Sequence, residues 1–336
     1  MGMNLLSIIL LFLLFSFRLA ADETKPLDFD EVFNVIRTNV SDVSETELRQ
    51  NSAMGLIKEM GTRVQIVTTN AEPADQPPDA ITRRSVYENQ FGYIRIRSVD
   101  DRLPSDFRQS LTQLIQSNKL NGVILDLRYA EGASYEAAAE VADQFVDGGR
   151  PLLGLGAKKI SSTAQSPTVR LPLAVLVNGE TRAAAEAVAA MLKETASGLV
   201  IGKKTMGEAR LYEVFTLSTG QRLRIGKVPV EVGAGKVIPA TGIEPDIVLT
   251  VDPEEERLFY QDPYRERRLT TRPLGSGRGR RMNEAELVRQ HREGFDFSEP
   301  EEGASPAQST VITDPALARA IDFLKGVSKM KARPAL

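Results

Sequence analysis

The chain has 336 residues and a formal net charge of −3 at pH 7, with 42 Lys and Arg against 45 Asp and Glu. This length corresponds to about two domains of ordinary size, and the near-neutral charge is not that of a nucleic-acid binder. There is no cysteine, and the one histidine is His291. Disulfides, thiolate metal sites and a cysteine nucleophile are therefore excluded, and a Ser-His-Asp triad would depend on a single residue. We expect no metal and no cofactor.

The first 21 residues resemble a secretory signal peptide. The apolar run at 5–15 is shorter than the about 20 residues that a membrane span needs. Leu19, Ala20 and Ala21 precede Asp22 in the manner of a small-residue cleavage site. We predict an exported protein, periplasmic or extracellular. The alternatives are an uncleaved membrane anchor and a buried hydrophobic arm.

Hydrophobic spacing and composition divide the rest of the chain. We predict a helical segment at 22–70, a Pro-rich linker at 71–90, an α/β domain at 91–252, a charged insertion or linker at 253–308, and a C-terminal helix at 309–336. In the C-terminal segment, Asp314 and Pro315 are a favourable helix start.

Within 91–252, strands alternate with helices, which predicts βαβ units and a parallel sheet. The predicted strands are 93–97, 123–128 and 173–177; the predicted helices are 104–117, 135–146 and 182–194; a β-ribbon is predicted at 211–215 and 222–232.

Several motifs, in order along residues 92–249, resemble the carboxyl-terminal processing peptidases, also called tail-specific proteases. The matching stretches are 92–96 (GYIRI), 122–128 (GVILDLR), 175–178 (VLVN), 185–189 (AEAVA), 201–207 (IGKKTMG) and 242–246 (GIEPD). The resemblance implies an α/β core related to the crotonase and caseinolytic-protease sandwich. N-terminal helices, a β-ribbon and a C-terminal helix would accompany this core.

Members of that family use a Ser nucleophile, a Lys base and a nearby Gln. A buried lysine loses its charge through desolvation, and its neutral amine then accepts the serine proton. The resemblance places the nucleophile three residues before Glu186, at Ala183, the base at Glu208 and the Gln at Tyr212. A methyl group cannot attack a carbonyl. We therefore predict an inactive pseudopeptidase that binds peptides or a protein partner, with a groove between core and ribbon.

The resemblance also implies an oxyanion site and a peptide-binding domain. Backbone N–H groups hold the oxyanion in the family, and the equivalent positions here are Gly132 and Ala184. Glu131 would bring negative charge to that turn. Members usually carry a PDZ domain, which binds peptides by strand addition, but only a linker fits between Val67 and Phe91.

Alternatives remain open at the site. One is an active serine-type endopeptidase with a non-standard nucleophile, in which a hydroxyl and a lysine elsewhere in the chain replace the family pair. The preferred interpretation is that these residues are solvated and that Thr181 is a helix N-cap. In a further interpretation, Arg182 and Glu208 form a pair that fills the former catalytic cleft, and Tyr212 packs there as well. The alternative is that these side chains are solvated. The residues of the relocated pair would come from Thr181, Ser161, Ser162, Ser166, Lys203 and Lys204.

The insertion is rich in arginine. A second alternative function is therefore an envelope protein that binds a polyanion or lipid through this segment; a flexible charged insertion is the preferred interpretation. No aromatic residue lies within 272–281, which argues against nucleic-acid stacking. We expect a polypeptide client or protein partner, no nucleic acid, and membrane contact only through the N-terminal segment or the insertion; a homo-oligomer is left open. The arginines are Arg265, Arg267, Arg268, Arg272, Arg278, Arg280 and Arg281.

Overall fold

The computed structural model describes residues 26–67, 79–163, 169–265 and 312–331. They fall into two units, divided after Gly61. The first unit contains α1 (Phe29–Asn39) and α2 (Glu45–Met60). The carboxylate of Asp28 accepts the N–H of Glu31 at 2.9 Å and so caps α1. The helical prediction for this part of the chain is confirmed.

The second unit contains the remaining elements. Its strands are β1 (Val64–Val67), β2 (Ile81–Tyr87), β3 (Phe91–Ile96), β4 (Ser98–Val99), β5 (Gly122–Asp126), β6 (Glu131–Gly132), β7 (Pro151–Leu155), β8 (Lys158–Ser161), β9 (Leu173–Val177), β10 (Leu199–Gly202), β11 (Arg210–Thr216), β12 (Arg222–Val232), β13 (Lys236–Val237) and β14 (Ile247–Val248). Its helices are α3 (Leu103–Ser117), α4 (Tyr135–Asp143), α5 (Ala184–Glu194), α6 (Pro253–Gln261) and α7 (Pro315–Lys331).

The central sheet has the strand order β14-β10-β9-β5-β3-β2. Strands β3, β5, β9, β10 and β14 are parallel, and β2 is antiparallel at one edge. The predicted parallel sheet of βαβ units is confirmed.

Both faces of this sheet are covered, because successive side chains of a strand point to opposite faces. In β5, Val123 and Leu125 belong to a core with α3, α4 and α5. Ile124, between them, belongs to a second core with Leu317 and Leu324 of α7. All five side chains are at most 1% exposed, and each contributes about 1.5–3 kcal/mol of burial free energy.

The second sheet contains the β-ribbon. Its order is β1-β12-β7-β8, and β11 and β13 also pair with β12. The ribbon of β11 and β12 matches the prediction closely. In β1, Gln65 is directly opposite Arg224 of β12, which places the two side chains on one face of the ribbon.

Three segments differ from the sequence-based division. Residues 64–67 and 81–87 were assigned to the helical segment and the linker, but they form β1 and β2. In β2, Arg83 and Arg84 interrupt the apolar pattern because β2 is an edge strand with part of its surface towards solvent. Residues 253–261 were assigned to the charged insertion, but they form α6, whose Phe259 is 3% exposed.

The ends of the charged segment 266–311 are close together, although the segment itself lies outside the described residues. Thr313 donates its backbone N–H to Pro263 O at 2.8 Å and its hydroxyl to Arg265 O at 2.7 Å. Asp314 then begins α7, as predicted, by accepting the N–H of Ala316 at 3.0 Å. The predicted signal peptide, Ser166, His291 and the arginines from 267 to 281 also lie outside the described residues.

Arg128 joins these ends to the sheet. Its guanidinium is 1% exposed and binds Asp126 at 2.7 Å and Asp314 at 2.8 Å, and both carboxylates are buried. The N-terminus of α7 is thereby tied to the end of β5. Within the residues described, none of the helices combines the length and the apolar character that crossing a membrane requires.

Candidate functional site

Ala183 occupies the sharp turn between β9 and α5. Its backbone has φ 53° and ψ −121°, a region that non-glycine residues rarely adopt and that costs about 1–3 kcal/mol. Ala183 is the N-cap residue of α5, so the assignment of that role to Thr181 was wrong. The Thr181 hydroxyl is fully buried; it donates to Leu127 O at 2.8 Å and accepts the N–H of Asn178 at 3.0 Å.

The carboxylate of Glu186 holds this turn in place. Its Oε2 accepts the backbone N–H of Ala183 at 3.0 Å and that of Glu208 at 2.7 Å. Its Oε1 accepts the Thr205 hydroxyl at 2.5 Å and the Gly207 N–H at 2.7 Å. Burial raises the pKa of Glu186 above its usual 4.5, and these four donors oppose that rise. The structure therefore brings two of the predicted site positions, 183 and 208, to one carboxylate.

The segment 205–208 is shaped by a glycine. Gly207 has φ +83°, and a Cβ there would lie 2.2 Å from Ala240 O. Because that oxygen belongs to the backbone, no larger residue fits without moving the loop. Thr205 is fixed as well, since its Oγ1 accepts the N–H of Ile243 at 2.8 Å. The position of Glu208 relative to Ala183 is therefore set by the backbone on both sides.

Glu208 is buried, with 7% of its surface exposed. Its Oε1 accepts the Gln65 side-chain N–H at 2.8 Å, and Gln65 Oε1 in turn accepts from Arg224 at 3.2 Å. The Arg224 guanidinium lies 3.7 Å from the ring centroid of Tyr212. The prediction missed Gln65 and Arg224. The one available signal was the alternating pattern of 64–67, which is short and adjoins a helix.

Tyr212 is half-buried and donates its hydroxyl to Thr62 O at 3.0 Å. Burial and, secondarily, the charge of Glu208 raise the pKa of Tyr212 to about 12. The phenol is therefore protonated at neutral pH. It lies on the same ribbon face as Arg224.

Arg182 pairs with Glu131, not with Glu208. Its Nε is 2.9 Å from the Glu131 carboxylate. The predicted Arg182–Glu208 pair is therefore wrong. The interpretation of Glu208 as solvated is wrong as well, because Glu208 is 7% exposed and its carboxylate is hydrogen-bonded to Gln65. The negative charge that Glu131 brings to the turn is compensated by Arg182.

The two predicted oxyanion positions lie on joined segments. The N–H of Arg182 donates to Ala130 O at 3.0 Å. This bond connects the turn at Ala183, called the elbow below, to the turn that carries Gly132. A Cβ on Gly132 would lie 2.4 Å from Val99 O, so only glycine fits. Ala184 is the first residue of α5 and is fully buried.

The lysines near the site are bound elsewhere. Lys203 donates to Val251 O and lies 3.6 Å from the Glu256 carboxylate, and Lys204 lies 2.8 Å from that of Glu244. The Ser162 hydroxyl is buried and donates to Asp147 O at 2.7 Å, so it is not a solvated loop group. Ser161 is exposed at the end of β8. Within the described part of the chain, no Ser/Thr–Lys pair replaces the family pair.

The site thus combines a fixed turn at Ala183 with the buried carboxylate of Glu208, which is bound to an amide. The two threonine hydroxyls close to the elbow, those of Thr181 and Thr205, are already engaged in hydrogen bonds.

Comparison with known proteins gives a consistent result. Residues 90–249 match Peptidase family S41. A chloroplastic C-terminal processing peptidase of Tetradesmus obliquus is 30% identical over 190 residues, which are 55% of this chain and 39% of that protein. A carboxy-terminal processing protease of Bacillus subtilis (strain 168) is 27% identical over 225 residues, 63% of this chain and 48% of that protein. The matches therefore span less than half of these relatives.

A solved structure supports the fold. A protein from Parabacteroides merdae ATCC 43184 aligns with a TM-score of 0.52 and 16% identity over 70% of this chain and 86% of that one. The predicted α/β fold is confirmed, whereas the correspondence of Ala183, Glu208 and Tyr212 to catalytic positions stays a prediction. Residues 90–249 form a peptidase family S41 domain, and this part of the chain is similar to C-terminal processing proteases.

Proposed function

We propose that this chain is a catalytically inactive pseudopeptidase that binds a polypeptide client or protein partner without cleaving it. The observation that carries the proposal is the methyl group of Ala183 on the elbow that leads into α5. Acyl transfer by a serine-type peptidase requires a nucleophile whose proton passes to a neighbouring base. Ala183 has no such proton.

The environment of Glu208 supports the same conclusion. Its carboxylate is chemically able to accept a proton, but it is bound to the side chain of Gln65 in β1 at 2.8 Å. The hydroxyl of Thr181 is directed to Leu127 O on the sheet side. An alternative nucleophile would therefore have to break an existing buried hydrogen bond before it could act, which is costly.

Retention of the elbow supports binding. Ala183 keeps a strained backbone, and Glu186 keeps the four hydrogen bonds that hold it. A chain that had no further use for this geometry would be expected to relax it. We propose that the elbow and the adjacent ribbon still shape a polypeptide-binding surface. We also propose export, which the signal-like composition of residues 1–21 supports.

A direct test uses the purified chain. We expect no turnover of unfolded casein or of a C-terminally tagged peptide, no labelling by a fluorophosphonate probe, and binding of the same peptides detected by fluorescence anisotropy. Cleavage that persists after contaminating proteases are excluded would overturn inactivity. It would favour the alternative of a non-standard nucleophile, and the residue that the fluorophosphonate probe labels would identify that nucleophile.

A restoration experiment tests the predicted correspondence. The changes Ala183→Ser, Glu208→Lys and Tyr212→Gln rebuild the family residues at the three positions. Probe labelling at residue 183 would support the correspondence. The matched control moves the hydroxyl to the exposed turn (Ala133→Ser with the same two other changes) and should remain unlabelled.

A further inference from the structure

We propose that Gln65 and Arg224 belong to the site, and that Arg224 is the counter-charge of Glu208, connected to it through the side-chain amide of Gln65. These two positioning residues decide which charge position 208 can hold. The inference rests on the proposed function in one respect, because it takes Glu208 to stand at the position of the family base.

The polarity of the three side chains is consistent along the connection. The amide nitrogen of Gln65 donates to Glu208, and its oxygen accepts from Arg224. A primary amide has donors at one end and an acceptor at the other. The anion therefore faces the donor end and the cation faces the acceptor end, and this orientation satisfies both charged groups.

The tertiary structure aligns the three residues from distant parts of the chain. Gln65 is paired directly with Arg224 across β1 and β12. Tyr212 lies on the same face and stacks on the Arg224 guanidinium at 3.7 Å. The ring fixes the direction of the guanidinium and leaves Gln65 as its hydrogen-bond acceptor. Tyr212 therefore helps to hold Arg224 in the orientation that bonds it to Gln65.

The carboxylate of Glu208 has need of such a counter-charge. It is 7% exposed, and burial of an ion without compensation is costly. The nearby Arg182 is bound to Glu131. Among the residues described, no lysine or arginine forms a salt bridge with Glu208. Arg182 interacts with it electrostatically at longer range, and Gln65 provides a hydrogen-bonded connection to Arg224.

The consequence is specific to charge. A lysine at position 208 would present an ammonium group to the donor end of the Gln65 amide, with Arg224 at the other end. Rotation of the amide would satisfy the lysine and break the bond to Arg224. Restoring a basic residue at 208 is therefore opposed by Arg224, and relief requires a change at 224.

The experiment is a double-mutant cycle read out as the urea unfolding midpoint, with Glu208→Lys and Arg224→Met, each alone and combined. We expect the midpoint loss caused by Glu208→Lys to be at least halved in the Arg224→Met background. The difference between the midpoint losses of Glu208→Lys with and without Arg224→Met should fall by half or more in a Gln65→Leu background, because the amide that connects the two residues is gone. Equal losses in both backgrounds would overturn the inference.

A matched control uses an exposed pair on the same ribbon, Glu213 and Lys227, whose charged atoms are 2.6 Å apart. Glu213→Lys and Lys227→Met should show little coupling, because exposed pairs are weak. Should Glu208→Lys fail to fold, the isosteric Glu208→Gln replaces it, and its midpoint loss should likewise be smaller in the Arg224→Met background. Equal losses of Glu208→Gln in the two backgrounds would contradict the electrostatic role.

The two proposals fail separately. Cleavage by the unmodified chain would overturn the proposed function and leave the stability cycle unchanged. Absence of coupling would overturn the present inference whether or not the chain cleaves peptides. In the restored triple variant, addition of Arg224→Met should raise fluorophosphonate labelling several-fold. Unchanged labelling of an active triple variant would count against the inference.

Discussion

Ala183 and Glu208 donate their backbone N–H groups to the same oxygen, Oε2 of Glu186, at 3.0 and 2.7 Å. One buried carboxylate therefore holds the elbow and the loop that carries the predicted base position. Backbone groups, not the side chains of 183 and 208, define the relative position of the two segments. The side chains can change their chemistry while this arrangement persists.

The strain at Ala183 leads to a prediction about stability. Ala183→Gly should increase the free energy of unfolding by about 1 kcal/mol, because relief of a strained φ exceeds the entropy cost of glycine. Urea denaturation measures the change. Ala187→Gly, in the middle of α5, is the matched control and should lose about 1 kcal/mol. A loss at both positions would show that the elbow is not strained.

Arg128 is predicted to be essential for the docking of α7. Arg128→Met leaves the buried carboxylates of Asp126 and Asp314 without a guanidinium and should cost about 3–5 kcal/mol. Hydrogen exchange should increase along α7. The control Arg102→Met removes an exposed partner of Asp100 and should change stability by less than about 0.5 kcal/mol. Similar effects of both variants would contradict the role assigned to Arg128.

The lowered pKa of Asp126 leads us to expect a loss of stability in acid. Burial by itself would raise the pKa of Asp126, but Arg128 and Arg95 lower it below the usual 3.8. A lowered pKa in the folded state stabilises the protein above the unfolded value, and this contribution is lost as the pH falls through the folded value.

Unfolding midpoints measured from about pH 6 down to pH 3 should therefore decrease below about pH 4. In Asp126→Asn the midpoint is lower at neutral pH and its decrease with acid is shallower. The exposed control Asp101→Asn should retain the wild-type profile. An unchanged acid profile in Asp126→Asn would show that this carboxylate does not titrate with folding.

The paired ends of the charged segment predict that its middle is dispensable for folding. Thr313 is hydrogen-bonded to Pro263 and Arg265, so a short Gly-Ser connection can replace residues 268–309. We expect a thermal midpoint within a few degrees of the full chain, since shorter loops cost less closure entropy. Deletion of 312–336 is the contrasting variant. It exposes the face of the central sheet that α7 covers and should prevent cooperative unfolding.

Local patterns predicted much of the core. Strand 173–177 is a short, wholly apolar run, and it forms β9 with those bounds. Helix α7 begins at its predicted cap, Asp314. By contrast, β2 was missed because an edge strand with arginines lacks a clean alternation, and α6 was missed because one buried aromatic, Phe259, does not stand out among charged neighbours.

By itself, the sequence determined the order of the main core strands and helices and placed an alanine at the predicted nucleophile position. These depend on residue identity and on periodicities of a few residues. Only the tertiary structure decided that Glu208 contacts Gln65, 143 positions away, and that Arg182 pairs with Glu131. The physical reason is that burial and charge compensation depend on which surfaces meet after folding, and no local pattern encodes that choice.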